Sequence, residues 1–270
     1  MRWVVLMSAY FTLEDSAALQ LIDSASRLNP DVQVIYEKFY QLQHSINLRL
    51  RELSWDLHPH SDKTQLISSR SAASSDMHGV ALRFCRSREQ ALAVERLMGR
   101  EGEQWAGGAE KHRHPVIELR LTPSHFAVEL IVSADAWLDQ QNLVGKLAVP
   151  RHRQTLRGII GQMPATACIG FWRGLELDDM HLTAGQLSRG LRLDDWLSTF
   201  QDGHDYLRAG LWYQPQDDAL SVNTIVSEAT RQIGALYRLY DFLLFSSNND
   251  FRTFYARTLE YHLGKETRLS

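Results

Sequence analysis

The chain has 270 residues, 44% of them apolar, and a formal net charge of −3. That is enough apolar material for a core without disulfide support, and too little net charge to draw the whole protein to nucleic acid or an anionic membrane at long range. Two cysteines, Cys85 and Cys168, stand far apart in apolar runs, which excludes a disulfide scaffold and a Cys-rich zinc site.

The basic residues are 24 arginines and 5 lysines. Arginine holds planar anions bidentately, so the skew suits carboxylate or phosphate recognition, although the arginines are spread along most of the chain. The N-terminal apolar run is broken by Ser8, Thr12, Glu14 and Asp15 and is too short for a signal sequence. No stretch approaches a membrane span, and the expectation is a soluble, cytoplasmic protein with no membrane partner.

The first twelve residues read as a short strand or a helix start. Thr12 and Asp15 then have the spacing of a capping box, and Leu13, Ala17, Leu21, Ile22, Ala25 and Leu28 recur at helical intervals. Asn29-Pro30 stops that helix and opens a second, running to about Leu53 with Val32, Ile35, Phe39, Leu42 and Ile46 on one face. Residues 55–76 lose the pattern and read as an exposed, Ser-rich loop, the best candidate boundary between a helical segment 1–60 and a core 77–270 if the chain is not one domain. His58, His60 and Asp62 fall in that loop; solvated surface is the reading preferred over a metal site.

Val80–Cys85 reads as a strand and Ser87–Met98 as a helix. The glycine-rich stretch 99–108 lacks the Gly-Lys-Ser/Thr ending of a phosphate-binding loop. Ile117, Leu119 and Leu121, then Phe126, Val128, Leu130 and Val132, alternate with polar residues across the turn at Pro123-Ser124 and predict a hairpin. One face goes to the core; the other carries Glu118, Arg120, His125 and Glu129.

Residues 134–162 are helical, split at Pro150. From Lys146 to Gln162 there is no acidic residue, so Arg153 and Arg157 mark a basic helix face. Segments 168–172 and 207–213 read as strands that share one sheet, separated by a loop with Asp178, Asp179 and His181, a short helix ending at Phe200 and a turn at Asp202-Gly203. A long helix is expected over 217–245, apolar nearly all round beyond Leu236, followed by an aromatic helix containing Phe251, Phe254, Tyr255 and Leu259.

Two constellations carry chemistry. Asp179/His181 and Asp202/His204 are Asp-x-His pairs whose side chains share a side if extended; together they suit a divalent metal and water activation, with Arg173 or Arg208 steadying developing charge. The second is a polar sheet face on which Arg120, His125, Arg208, Trp172 and Trp212 converge with Glu118 and Glu129, a groove for a small ligand or a stacking platform for bases. No nucleophile elbow, kinase set, zinc-helix motif or dinucleotide fingerprint is present.

The expected architecture is α+β: an antiparallel sheet of about four to six strands covered by helices, with helical ends. The leading functional expectation is a non-catalytic binding or accessory protein for an anionic ligand, nucleic acid or protein partner. The ligand lies on the polar sheet face or the basic helix. The alternatives are a divalent-metal-dependent hydrolase or nuclease using the Asp-x-His pairs, and a homodimer held by the apolar end of the long helix.

Overall fold

The computed structural model describes residues 8–20, 30–59, 65–68, 78–99, 113–174, 176–177, 179, 181–189, 192–246 and 248–251. Alternating apolar and polar residues form eight antiparallel strands: β1 (His58–Pro59), β2 (Gln65–Ser68), β3 (His78–Cys85), β4 (Val116–Leu121), β5 (Phe126–Val132), β6 (Cys168–Phe171), β7 (His181–Thr183) and β8 (Leu207–Tyr213). They make one sheet in the order β1-β3-β4-β5-β8-β6-β7, with β2 sharing the outer edge of β3 with β1. Eight strands in seven positions slightly exceed the four to six expected. The extra strands are the short ones, β1 and β2 on residues expected to be loop, and β7. His60 and Asp62 lie outside the described residues.

One face of the sheet is apolar. Val80, Leu82 and Phe84 of β3, Ile117, Leu119 and Leu121 of β4, Phe126, Val128, Leu130 and Val132 of β5, and Leu207 and Ala209 of β8 join a single core. Helix α8 (Ile225–Leu243) lies across β4, β5 and β8 on this side and contributes Ile225, Ala229, Ile233, Leu236, Tyr240 and Leu243. Each large side chain buried there contributes about 1.5–3 kcal/mol relative to exposure. The apolar end of this helix is therefore covered by the chain itself: Leu236, Leu239, Tyr240 and Leu243 are all buried.

Helix α1 (Leu13–Gln20) starts at the expected reciprocal cap, Thr12 N–H donating to Asp15 at 2.6 Å and Asp15 N–H to the Thr12 hydroxyl at 3.3 Å. Helix α2 (Pro30–Glu52) packs on α8 and β3, placing Val32, Ile35, Phe39, Leu42, Ile46 and Leu50 in the same core as the sheet. Helix α3 (Arg88–Leu97) has a full capping box from Ser87 and Gln90. The split at Pro150 gives α4 (Trp137–Leu147) and α5 (Pro150–Gly161), both against α8. Short helices α6 (Ala184–Leu187) and α7 (Arg192–Leu197) follow β7.

The long C-terminal helix begins later than its apolar periodicity suggests. Residues 218–220 form a 3-10 turn instead, capped by Asp217 accepting from Ala219 N–H at 2.9 Å. Ser221 is extended and bridges Ala9, so the chain straightens before α8 starts at Ile225. Only Phe251 of the expected last aromatic helix is described; residues 252–270 lie outside.

Candidate ligand-binding face

On the opposite face of the sheet the register writes three rows. The first is Ala81, Arg120, Ala127 and Trp212; the second Arg83, Glu118, Glu129, Gly210, Cys168 and Thr183; the third has Ile131 beside Arg208, Gly170 and His181. Long charged side chains stand beside alanines and glycines, which give them room to lie flat on the sheet. Gly210 is required for the approach of β8 to β5: a Cβ there would sit 2.8 Å from Glu129 Cα and closer still to the Val128 carbonyl oxygen.

The charges form a continuous ladder across four strands. Arg83 Nε donates to Glu118 at 2.8 Å, and Arg120 Nη1 bonds Glu118 at 2.9 Å and Glu129 at 2.5 Å. Arg208 Nη1 lies 3.4 Å from both oxygens of Glu129. Glu118, Arg120, Glu129 and Arg208 are at most 2% exposed. Taking such charges out of water is expensive, and the mutual attraction offsets it only with good geometry. Burial would depress the Arg120 guanidinium, but Glu129 and Glu118 outweigh it and raise its pKa. At Arg208 burial wins, the pKa falls, and the longer contacts to Glu129 compensate less.

Aromatic rings continue from Arg208. Its guanidinium lies 5.8 Å from the Trp172 ring centroid, within cation–π range, and Trp172 contacts Trp212 at 5.6 Å and His181 at 6.3 Å. His125, at the start of β5, is tied by Nδ1 to the hydroxyls of Thr122 at 3.0 Å and Ser124 at 2.9 Å. Burial first, then Arg120 and Arg208, push its pKa down to about 3, so the ring is neutral. Burial and the Glu129 carboxylate raise the Cys168 thiol, which argues against a reactive thiolate.

Buried polar atoms here without a hydrogen-bond partner include Arg208 Nε, Trp172 Nε1, Trp212 Nε1 and His125 Nε2. An orphaned buried polar group ordinarily costs about 1–3 kcal/mol.

Of the residues singled out in the sequence, the structure thus gathers Arg120, His125, Trp172, Arg208 and Trp212, with Glu118 and Glu129. Arg83 joins the ladder as well; its alternation with Val80, Leu82 and Phe84 was the available signal. Glu176 was not anticipated either, and accepts from the Ser124 hydroxyl at 2.9 Å.

The other candidates lie elsewhere. Among the described residues no group of three or more His, Cys, Asp and Glu side chains is placed to hold a metal ion together. Asp179 is in an exposed bend, His181 is on β7 beside Trp172, and Asp202 and His204 are in the exposed turn before β8; Asp178 lies outside the described residues. Gly203 N–H in that turn donates to Gln140 at 2.6 Å, which ties the turn to α4. Asp202 lines a cavity of about 310 Å³ between α4 and residues 245–251. Arg173 donates to the His204 carbonyl at 2.7 Å and lies over Tyr206.

The basic helix face is partly neutralised. Arg157 pairs with Asp194 at 2.6 Å, and Lys146 bonds the Phe242 carbonyl and the Asn249 side chain. Arg153 lines a second cavity of about 300 Å³ with Val144, Leu147, Leu197 and Phe200. No family model matches the chain, and no curated protein matches its sequence. Among the described residues no helix is long and apolar enough to cross a membrane.

Proposed function

We propose that the protein is a binding protein for a small oxyanion, held on the polar face of the sheet by Arg208, Trp172 and Trp212. The observation that carries this reading is the set of unpartnered buried donors. A guanidinium Nε–H and two indole N–H groups can only donate, so the complement they lack is an acceptor. The basic 146–157 helix face supports the reading less well, because Arg157 and Lys146 already have partners.

Tryptophan fluorescence tests the proposal directly, because two of the ligand-facing rings report on it. Phosphate, sulfate and acetate are titrated against the wild type, Arg208→Met and Trp172→Phe. The expected result is a saturable change in emission in the wild type that weakens about 10- to 100-fold in Arg208→Met, the loss of one charge-assisted contact. A wild type that responds to none of the three anions at low ionic strength refutes the reading.

A further inference from the structure

The two arginines one turn apart on α5 are in different states. Arg157 is held by Asp194 at 2.6 Å. Arg153 is half-buried, and among the described residues its guanidinium has no hydrogen bond, ion pair or ring contact. It lines a cavity of about 300 Å³ between α4, α5 and α7. We infer that this cavity is a second binding site, separate from the sheet face, for a small carboxylate with an apolar tail. The carboxylate sits on Arg153 and the tail lies against Leu147, Leu197 and Phe200.

The walls and the charge each select part of that ligand. Leu147, Leu197 and Phe200 are half-buried and Val144 is 39% exposed, so the cavity keeps apolar surface in contact with water. The Phe200 ring is backed by Phe171 at 5.1 Å, which stacks on Trp196 at 4.2 Å, so that wall is fixed in place. Moving solute methylenes from water onto such surface favours binding by about fourfold for each one buried. A guanidinium donates and cannot accept, and its fork matches a carboxylate. Asp194 is on the same wall, but Arg157 already neutralises it, so it neither claims Arg153 nor calls for a cationic ligand. Phosphate or sulfate would leave the apolar wall unused. At the lower end of ligand-pocket volumes, about 300–1,000 Å³, the space suits a short chain or a single ring.

Nitrogen–proton NMR of the full-length protein tests this, because it shows where a ligand binds as well as how tightly. The probes are hexanoate, butanoate, hexan-1-ol and hexylammonium at neutral pH. Hexanoate should give saturable shifts at the amides of Val144, Leu147, Ala148 and Ser198. It should bind about 10- to 20-fold more tightly than butanoate, which lacks two methylenes, and about 5- to 10-fold more tightly than hexan-1-ol, which lacks the charge. Arg153→Met keeps the apolar stem, so it should abolish the preference for hexanoate over hexan-1-ol and leave hexan-1-ol binding as it was. Ala148→Trp places a ring at the cavity from an exposed position and should remove both ligands, a test that stands even if Arg153→Met fails to fold. Hexylammonium binding as tightly as hexanoate would assign the charge recognition to Asp194 and overturn the inference. So would equal affinity for butanoate and hexanoate, a hexanoate preference that survives Arg153→Met, or no binding at all. Shifts confined to the amides of Trp172 and Arg208 would overturn it too, while favouring the sheet-face reading, which rests on different residues.

Discussion

Acidification should unfold this protein partly through His125, and the size of the effect follows from its surroundings. The imidazole has an ordinary pKa of 6.5, and burial, Arg120 and Arg208 bring it down to about 3 in the folded protein. The folded state thus binds fewer protons than the unfolded state between those two values, so stability rises with pH across that window. The contribution is fully present above pH 6.5 and is lost as the pH falls towards 3. At about 1.4 kcal/mol per pH unit, moving from neutral pH to about pH 4.5 removes about 2–3 kcal/mol, a large share of a typical domain's stability. Urea unfolding of the wild type and His125→Gln at both pH values isolates the term, because the carboxylates that also protonate are common to both proteins. The wild type should lose about 2–3 kcal/mol more than the variant on acidification. Equal losses would mean that His125 titrates as if exposed, and the neutral, buried imidazole would be refuted.

Gly210→Ala should destabilise by about 1–3 kcal/mol in the same assay, because its Cβ would meet the β5 backbone, which is pinned on both sides and has no flexible end to move. Asn142→Ala should loosen the chain after α8: its side-chain amide donates to the carbonyls of Leu243, Leu244 and Asn249 and accepts from Phe251 N–H. Limited proteolysis should then cut after residue 243 faster than in the wild type, and an unchanged cleavage rate would contradict a clamping role for Asn142.

The sheet layer was legible because its core strands obey a period of two without interruption. Ile117, Leu119 and Leu121 against Glu118 and Arg120 assign both faces of β4 from sequence alone. The shared sheet of segments 168–172 and 207–213 was expected without an alternation to carry it, and β6 does pair with β8. What escaped was set by tertiary contacts. β7 has three residues and exists because β6 offers it an edge, so His181 became a strand residue where a loop was expected. The two Asp-x-His pairs looked equivalent as local spacings, but one is on the sheet edge and the other in a turn held by Gln140. The polar surroundings of His125 were invisible in the sequence because Glu176, which accepts from the neighbouring Ser124 hydroxyl, is 52 residues further along the chain than Ser124.

The ladder itself separates a role in folding from a role in binding. Removing one member, as in Glu129→Gln, leaves Arg120 and Arg208 buried without their shared carboxylate and should cost about 3–5 kcal/mol. Replacing all five members together, Arg83→Met, Glu118→Leu, Arg120→Met, Glu129→Leu and Arg208→Met, removes the ladder as a unit and fills similar volumes with apolar groups. Such replacements in buried ion clusters are often neutral or stabilising by about 1–4 kcal/mol. If the charges serve binding, the fivefold variant should keep or gain stability in urea while its tryptophan response to phosphate disappears. A fivefold variant that binds phosphate as the wild type does would show that the anion sits elsewhere. One that unfolds as readily as Glu129→Gln would show that the ladder is there to specify the fold, since burying five apolar side chains in its place would not have rescued what the charges hold together.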